Sequence, residues 1–309
     1  MSWRHFRLER LADGVYAAVH ADGGWMICNV GLVDLGERTL IYDTGLSPQA
    51  AVELRAAAVA LTGRVPYYVV NSHYHNDHIR GNQVFDDGLL VSTAKTRGLI
   101  ATRGPVSVEQ DRKQAPEGIA ETEALARSED PLERNEAALF LPYWQAISAS
   151  LPGLELRLPC LTFGDSLALH GSKRTARLLA LAGHTESDCV LFLPEEGVVF
   201  CGDLLFVRSH PYLASGDPDA WLSSLDKIVG LGAEVYLPGH GPVGGRRDLD
   251  RMELYIRTLM ELAREIAAKG KTVDDAAKVP VPESFADWAL PSHFEYNLRF
   301  LYERVARRA

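Results

Sequence analysis

The apolar positions in the first part of the chain form short runs, rich in β-branched residues, which glycine-containing turns separate from one another. Runs of this kind predict β-strands, here over residues 14–20, 25–33 and 39–43. An alanine-rich segment over residues 48–61 follows and predicts a helix. Ser47 directly precedes this segment and is a favourable N-cap residue.

The pattern changes after about residue 95, where alanine, glutamate, glutamine and arginine replace the apolar runs and prolines interrupt the sequence. We interpret residues 95–158 as a helical insertion of several short helices that lies over the sheet. Outside this insertion, short apolar runs predict further strands over residues 65–71, 89–92, 161–163, 166–170, 176–182, 190–193, 198–201 and 235–237.

Residues with helical spacing dominate the C-terminal part of the chain. Intervals of four and three residues predict one apolar helix face, made by Met252, Ile256, Leu259, Ala263 and Ile266. Further helices are predicted over residues 219–229 and 295–307, and Gly270 is a suitable helix end. The order of elements indicates an α/β sandwich of layered sheets with helices outside. We expect a single domain over residues 1–309, with C-terminal helices over about 248–309.

The charge and hydropathy of the chain limit its partners. The 309 residues carry a formal net charge of −9, which repels phosphate backbones, so we do not expect nucleic acid as a partner. No apolar run approaches the roughly 18 residues of a membrane span, and the N-terminus lacks the apolar region of a secretory signal. We therefore expect a cytoplasmic protein that acts on a small molecule and does not contact a membrane.

Four residues with metal-ligating side chains lie within one short stretch, namely His73, His75, Asp77 and His78. His73 and His75 are two residues apart at the end of a predicted strand, so both side chains can point in the same direction. Neutral imidazole and carboxylate groups are ligands that zinc and other divalent transition metals prefer. Gathering four such groups is unfavourable without a cation that satisfies their lone pairs. The stretch therefore predicts a metal site rather than a loop of surface histidines.

Three later residues occupy similar positions in the sequence. His184, Asp203 and His240 each follow a predicted strand, and each lies next to a glycine. Glycine allows a tight turn and a close approach of the backbone to a cofactor. Loops of this kind that meet at one edge of a sandwich would combine distant residues into one site.

The stretch from His73 to His78 resembles the H-x-H-x-D-H motif of the metallo-β-lactamase superfamily. The segments around Asp43, His184, Asp203 and His240 are similar to other segments of that superfamily and occur in the same order. The resemblance extends over about residues 10–245 and implies a four-layer αββα sandwich that carries the helical insertion. It also implies two metal ions, the first held by His73, His75 and His184, the second by Asp77, His78 and His240, with Asp203 as the bridge.

A hydrolase function follows from this resemblance and from the chemistry of such a site. Two divalent ions, zinc with iron or manganese as alternatives, would hold a bridging hydroxide that attacks a carbonyl carbon or a phosphorus. Asp77 would orient this nucleophile and relay a proton, and Asp203 would set the spacing of the metals. Aspartate at position 203 resembles the glyoxalase II, lactonase and phosphodiesterase branches, because many β-lactam-hydrolysing members carry cysteine or serine there. We expect hydrolysis of a small ester, thioester, lactone or amide, β-lactams included.

Two alternatives on the same fold remain open. A mononuclear-iron sulfur dioxygenase would use a subset of these ligands, and a small-molecule phosphodiesterase would use the same dinuclear site. The resemblance disfavours a flavin-linked di-iron enzyme, because His75 stands where those members commonly carry glutamate. The sequence leaves the substrate, the metal and the oligomeric state open.

Residues near the predicted ligands are candidates for supporting roles. Asp43 could accept a hydrogen bond from a ligand histidine and fix its tautomer. Thr185 and Ser187 could order the loop that carries the neighbouring ligand histidine. His210 and Tyr212 follow the loop of Asp203 closely and could contact the substrate.

The remaining histidines, the cysteines and the aromatic residues of the insertion are interpreted as structural. The histidines without a partner in the sequence are His5, His20, His170 and His293. We expect packing on the sheet, rather than a place in a pocket wall, for Phe140, Tyr143 and Trp144. The lack of a C-x-x-C pair and the apolar surroundings predict buried thiols for Cys28, Cys160, Cys189 and Cys201.

Overall fold

Two β-sheets face each other in the computed structural model, which describes residues 2–307. Within this range the first sheet has seven strands in chain order, β1 (Phe6–Ala12), β2 (Val15–His20), β3 (Val30–Asp34), β4 (Thr39–Tyr42), β5 (Pro66–Val70), β6 (Leu89–Thr93) and β7 (Leu161–Phe163). The second sheet has five, β8 (Ser166–His170), β9 (Thr175–Leu181), β10 (Asp188–Leu193), β11 (Val198–Phe206) and β12 (Val235–His240), in the spatial order β12-β11-β10-β9-β8. Strands β4 to β7 pair in parallel, as do β11 and β12, and the other neighbours are antiparallel.

The space between the sheets is filled by apolar side chains from both of them. On β4, Leu40 and Tyr42 belong to the cluster between the sheets, whereas Ile41 belongs to the cluster on the outer face. Leu191 and Phe200 of the second sheet pack into the same inner cluster. This alternation follows from the geometry of a strand, whose successive side chains point to opposite faces.

Helices cover the outer faces of the sheets. The helices of the described chain are α1 (Pro48–Thr62), α2 (Asn76–Ile79), α3 (Ala94–Leu125), α4 (Pro131–Ser150), α5 (Pro218–Val229), α6 (Arg246–Ala268), α7 (Val273–Ala276) and α8 (Ser292–Ala306), with short 3-10 helices at Asn82–Phe85, Leu151–Gly153 and Glu283–Phe285. Helix α1 packs on the first sheet, and α5, α6 and α8 pack on the second. This order of layers confirms the predicted α/β sandwich. Ser47 caps α1 as predicted, because its hydroxyl accepts a hydrogen bond from the Ala50 N–H.

The helical insertion differs from its prediction. Two long helices, α3 with 32 residues and α4 with 20, replace the several short helices expected there. Pro105 and Pro116 lie inside α3, and Pro142 lies inside α4. A proline removes one helical hydrogen bond and bends the helix. Because α3 and α4 pack along each other, tertiary contacts keep both helices continuous across their prolines.

Two further differences lie near the N-terminus. Strand β1 is absent from the prediction, because it alternates charged and apolar residues and presents few apolar positions. The predicted strand over residues 25–33 is wrong for residues 25–29. There Ile27 has a φ of 67°, and the Asn29 N–H donates to the carbonyl of Gly239 in the second sheet instead of to a neighbouring strand. This segment therefore joins the two sheets at the edge where the metal-ligating residues lie.

The C-terminal part of the chain is helical, as predicted. All five residues of the predicted apolar face, from Met252 to Ile266, are buried on α6. Residues 308 and 309 of the predicted C-terminal helices lie outside the described residues. No helix within residues 2–307 is long and apolar enough to cross a membrane.

The contact between α3 and α4 yields a test of the insertion. A Cβ atom at Gly118 would lie 2.5 Å from Cε2 of Trp144, whereas a Cβ at Gly98 on the same helix has nothing within 4 Å. We expect Gly98→Ala to raise the free energy of unfolding by about 0.5–1 kcal/mol, because alanine favours the helix. Gly118→Ala should lower it by about 1–3 kcal/mol, because overpacking outweighs that gain. Urea denaturation of both variants measures this difference, and equal effects would contradict the packing of Trp144 on Gly118.

Candidate metal centre

The predicted ligands are carried by four segments that meet at one edge of the sandwich. His73 and His75 follow β5, and His75 is the N-cap residue of α2, which carries Asp77 and His78. His184 lies in the loop between β9 and β10. Asp203 lies inside β11, where the register with β12 is irregular around Gly202, and His240 is the last residue of β12. The prediction ended the strand before Asp203, whereas the structure continues it to Phe206.

The first group of side chains contains His73, His75, His184 and Asp203. Each offers one possible ligand atom, and these atoms all lie within 4.8 Å of one another. His184 Nε2 lies 2.9 Å from His75 Nδ1 and 3.2 Å from Asp203 Oδ2. Three imidazoles and a carboxylate at such distances are a suitable donor set for a transition metal.

The second group contains Asp77, His78 and His240, whose ligand atoms also lie within 4.8 Å of one another. Asp77 Oδ2 is 3.5 Å from His78 Nε2 and 3.3 Å from His240 Nε2. The side chain of His78 is completely buried, whereas those of Asp77 and His240 keep 15% and 21% of their exposure. This group therefore faces the opening of the site.

Asp203 connects the two groups through its two carboxylate oxygens. Its Oδ2 lies beside the first group, 3.2 Å from His184 Nε2 and 3.8 Å from His73 Nε2. Its Oδ1 lies beside the second, 3.1 Å from His78 Nε2 and 3.4 Å from His240 Nε2. A carboxylate in this position can serve a cation on either side. The backbone is shaped for it, since a Cβ at Gly239 would lie 1.9 Å from Asp203 Oδ1.

Three of the polar atoms that point into the centre have no hydrogen-bond partner in the described chain. His73 Nε2, His78 Nε2 and Asp203 Oδ1 are buried without a hydrogen bond. Unpartnered buried polar atoms are unfavourable, so the cluster is incomplete as a protein-only structure and fits a divalent cation.

The pKa values of the cluster favour a site for cations. Burial lowers the pKa of His75 to about 4 and that of His184 to about 3, so both imidazoles are neutral donors at pH 7. Burial also lowers the pKa of His240, but Asp203 and Asp77 outweigh it and raise that pKa to about 9. Burial raises the pKa values of the Asp77 and Asp203 carboxyls, but the nearby His78 and His240 hold both pKa values well below the usual range. Without metal the second group thus keeps a proton on His240, which a metal ion would replace.

A family model described as the metallo-beta-lactamase superfamily matches residues 23–240, the range that contains every residue of both groups. The chain belongs to the metallo-β-lactamase superfamily. This confirms the family inferred from the sequence motifs.

Named relatives in this superfamily include hydrolases, and the chain is assigned to its metallo-hydrolases. The chain is 24% identical to a beta-lactamase-like protein 2 homolog of Caenorhabditis elegans over 308 residues, covering 97% of this chain and 86% of that protein. It is 23% identical to a linear primary-alkylsulfatase of a Pseudomonas species over 283 residues, covering 83% of this chain and 51% of that protein, so it spans about half of that enzyme. It is 25% identical to a hydroxyacylglutathione hydrolase of a Synechococcus species over 207 residues, covering 65% of this chain and 58% of that protein.

A solved structure shows the same fold at low sequence identity. A metallo-beta-lactamase from Pontibacter korlensis superposes with a TM-score of 0.58 and 16% identity, covering 82% of this chain and 99% of that one. This likeness confirms the metallo-β-lactamase fold predicted from the motifs.

Asp43 contacts His78, a predicted metal ligand, on the side that faces away from the centre. Its Oδ2 lies 2.8 Å from Nδ1 of His78, and both side chains are fully buried. Its Oδ1 accepts a hydrogen bond of 2.7 Å from the Ser72 N–H. This arrangement holds a proton on Nδ1 of His78 and leaves its Nε2 for the centre, as expected for a carboxylate behind a ligand imidazole.

The corresponding partner of His75 is Ser215, a residue absent from the sequence prediction. Ser215 Oγ lies 3.1 Å from His75 Nε2, while His75 Nδ1 faces the centre. No sequence signal marks this serine, because it lies 140 positions away from His75.

The loop of His184 is ordered mainly by Asp188, which the sequence analysis also missed. The backbone N–H and the hydroxyl of Thr185 both donate to the Asp188 carboxylate. Ser187 contacts Thr93 and Thr96 and so ties the same loop to the first sheet. Burial raises the pKa of Asp188 to about 7, an effect that its hydrogen bonds from Thr185 oppose.

The structure separates the two residues predicted to contact substrate. Tyr212 lines the cavity beside the centre, with its ring centroid 6.4 Å from that of His75. His210 does not reach this cavity. It is fully buried among Tyr255, Trp288 and Phe294, and its Nδ1 lies 3.1 Å from the Tyr255 hydroxyl. The expectation for His210 is wrong. The side chains of His210 and Tyr212 point in different directions, so His210 packs in the core against α6 and α8 while Tyr212 faces the cavity.

The cavity beside the two groups has a volume of about 920 Å³ and is partly walled by the insertion. Phe140 and Tyr143 line it, contrary to the expected packing on the sheet. The Tyr143 hydroxyl accepts a hydrogen bond from Asn76 Nδ2 at 3.2 Å, next to Asp77. Trp144 packs on Gly118 of the insertion helix α3, where packing on the sheet was expected. The cavity is large enough for a small molecule.

The other histidines and the cysteines have mainly structural contacts. His5 Nδ1 and His20 Nδ1 accept backbone N–H groups from Trp25 and Ile27, and His20 also lines the cavity, as does His293. His170 contacts the hydroxyl of Thr175. Of the cysteines, Cys160 is exposed beside the edge strand β7, so its predicted burial is wrong, whereas burial is confirmed for Cys28, Cys189 and Cys201.

The contact between Asp43 and His78 predicts the effect of one substitution. Asparagine has nearly the same shape as aspartate and tolerates the positive φ of 68° at position 43. In Asp43→Asn, however, one of the two groups that donate to the carboxylate, the Ser72 N–H or His78 Nδ1, then faces an amide NH₂ instead of an oxygen. We expect the metal affinity to fall by about 10- to 100-fold. Competition with a chromophoric chelator measures it, and Asp87→Asn, which removes a surface pair with Arg55, is the control. Equal affinities in wild type and Asp43→Asn would show that Asp43 does not orient His78.

Proposed function

We propose that this chain is a dinuclear metal hydrolase, with zinc as the metal, that cleaves a small ester, thioester, lactone or amide. The observation that carries the proposal is the position of Asp203, because one of its carboxylate oxygens lies beside the first group of ligand residues and the other lies beside the second. A mononuclear enzyme would not need the second group of ligand residues. A hydroxyacylglutathione hydrolase among the relatives favours an acyl substrate.

Each group of residues has its own task in this proposal. Divalent ions at such a centre acidify water and polarise the oxygen of a bound carbonyl group. His73, His75 and His184 supply neutral donors, and Asp203 holds the two groups at a set spacing. The Asp77 carboxylate is ionised at neutral pH and partly exposed toward the cavity, so it can accept a hydrogen bond from water and orient that water toward the substrate.

The surroundings of the centre support a small organic substrate. The cavity of about 920 Å³ is lined by apolar side chains such as Leu139, Phe140 and Leu156, next to the polar centre. The net charge of −9 opposes nucleic acid as a partner. We propose a small-molecule substrate with an apolar part, and the cytoplasmic location expected from the sequence remains a prediction.

Elemental analysis and activity of two ligand variants test the function. We expect about two zinc ions per chain in the wild type and restoration of ester or thioester hydrolysis by zinc after chelation. Mutation of a residue that only hydrogen-bonds a metal ligand lowers metal affinity or activity by about 10- to 100-fold. Removal of a ligand itself should have a larger effect, so His75→Ala and Asp203→Ala should each lower turnover by more than about 100-fold and reduce the metal content. The control is His170→Ala, at an exposed histidine whose Nδ1 lies 3.1 Å from the Thr175 hydroxyl.

Two outcomes would contradict this proposal. Full activity in either ligand variant would separate the reaction from the centre. About one iron ion per chain, with oxygen uptake on a thiol or persulfide and no hydrolysis, would favour the mononuclear-iron oxygenase instead.

A further inference from the structure

Arg208 has an unusual backbone conformation at the wall of the cavity. Its φ is 54°, in the left-handed region that is unfavourable for a residue with a Cβ atom. The backbone is held there by its neighbours. The Ala289 N–H donates to the Arg208 carbonyl at 2.9 Å, and the His210 N–H donates to the Ala289 carbonyl. Such strain persists where the surrounding structure enforces it, and it is concentrated at functional sites.

The segment that carries Arg208 is connected to the metal centre, and Arg208 lines the same cavity as the ligand residues. Arg208 is two residues beyond Phe206, whose ring stacks on that of His240 with centroids 5.0 Å apart. The Val207 N–H donates to the His240 carbonyl, so the segment that carries Arg208 is bonded to a residue of the second group. Leu290 follows Ala289 in the chain, also has a positive φ of 60°, and lines the same cavity.

Arg208 differs from the other arginines of the cavity in its lack of an ionic partner. Arg80 pairs with buried Asp111, Arg103 pairs with Glu186 and with the Tyr74 hydroxyl, and Arg7 pairs with Glu9. Within residues 2–307, no hydrogen bond or ion pair engages the guanidinium of Arg208. Its side chain is exposed, and it lines the cavity.

We infer that Arg208 binds an anionic group of the substrate, a carboxylate or a phosphate, that lies away from the bond being cleaved. A guanidinium donates two parallel hydrogen bonds to either of these groups. The apolar side chains of Leu139, Phe140 and Leu290 line the same cavity and cover the body of such a molecule. The inference rests on the proposed hydrolase function, and it narrows the substrate class to acyl compounds with a second, negatively charged end.

Paired substrates test this specificity in the metal-loaded enzyme. p-Nitrophenyl succinate and p-nitrophenyl butyrate differ by a distal carboxylate, and the 3-phosphonopropionate ester replaces that carboxylate by a phosphonate. We expect the wild type to prefer an anionic ester over butyrate in kcat/KM. Arg208→Asn keeps a residue that tolerates a positive φ but removes the charge, so it should reduce this preference by at least about 10-fold. Arg208→Lys should restore most of it, and the preference should fall as salt is added.

A matched control separates a specific contact from general positive charge. Arg103→Gln removes a cation from the same cavity, but one already paired with Glu186. We expect it to leave the ratio of anionic to neutral substrate close to that of the wild type. An unchanged ratio in Arg208→Asn, or an equal loss in both variants, would overturn the role of Arg208. The better of the two anionic esters decides between carboxylate and phosphate.

Equilibrium binding distinguishes failure of this inference from failure of the hydrolase proposal. Calorimetry on the metal-loaded protein compares succinate with its monomethyl ester, which keeps one carboxylate for the centre and neutralises the other. Tighter binding of succinate in the wild type, lost in Arg208→Asn, supports the anion site even if no ester is hydrolysed. Equal binding of both probes to the wild type would overturn it, whatever the enzyme hydrolyses.

Discussion

The burial of Asp203 between two sets of imidazoles is the constraint on which this structure depends. A carboxylate removed from water is unfavourable unless cations or donors compensate it. Here His184 and His78 lie on its two sides at 3.2 and 3.1 Å. Without this shared carboxylate and without a metal ion, the imidazoles of each group would be buried with polar atoms that have no partner. The position of this one side chain thus sets the spacing between the two groups of ligand residues.

The sandwich serves to hold that carboxylate and its neighbours in place. Asp203 lies inside β11, so the hydrogen bonds of the second sheet position it, and Gly239 of β12 leaves the room that it needs. His73 and His75 come from the first sheet, across the apolar cluster that joins the sheets. A ligand set shared by two packed sheets is rigid, because close-packed interiors resist small displacements. Asp43 and Ser215 then limit the rotation of individual imidazoles from behind.

The wall of the cavity is built by elements outside this rigid centre. The helices α3 and α4 add Phe140 and Tyr143 to the cavity wall, and the segment after β11 adds Arg208. The strained backbone of Arg208 is held by Ala289, which lies in the connection before α8. The family model matches residues 23–240, so the part of the chain beyond that range also contributes to the wall of the cavity. Under the proposed function, the centre supplies the chemistry and these additions to the cavity wall would select the substrate.

The sequence by itself determined the superfamily, the layered α/β fold and the residue types of the centre. These features depend on local signals: alternating apolar runs for strands, and glycine-flanked histidines and aspartates directly after them. Tertiary structure alone decided that α3 continues through Pro105 and Pro116, that His210 turns into the core while Tyr212 faces the cavity, and that Ser215 contacts His75. In each of these cases the deciding partner is remote in sequence, and packing against it overrides the local preference. Pattern and propensity describe neighbours along the chain, so contacts between distant segments become visible only in the folded molecule.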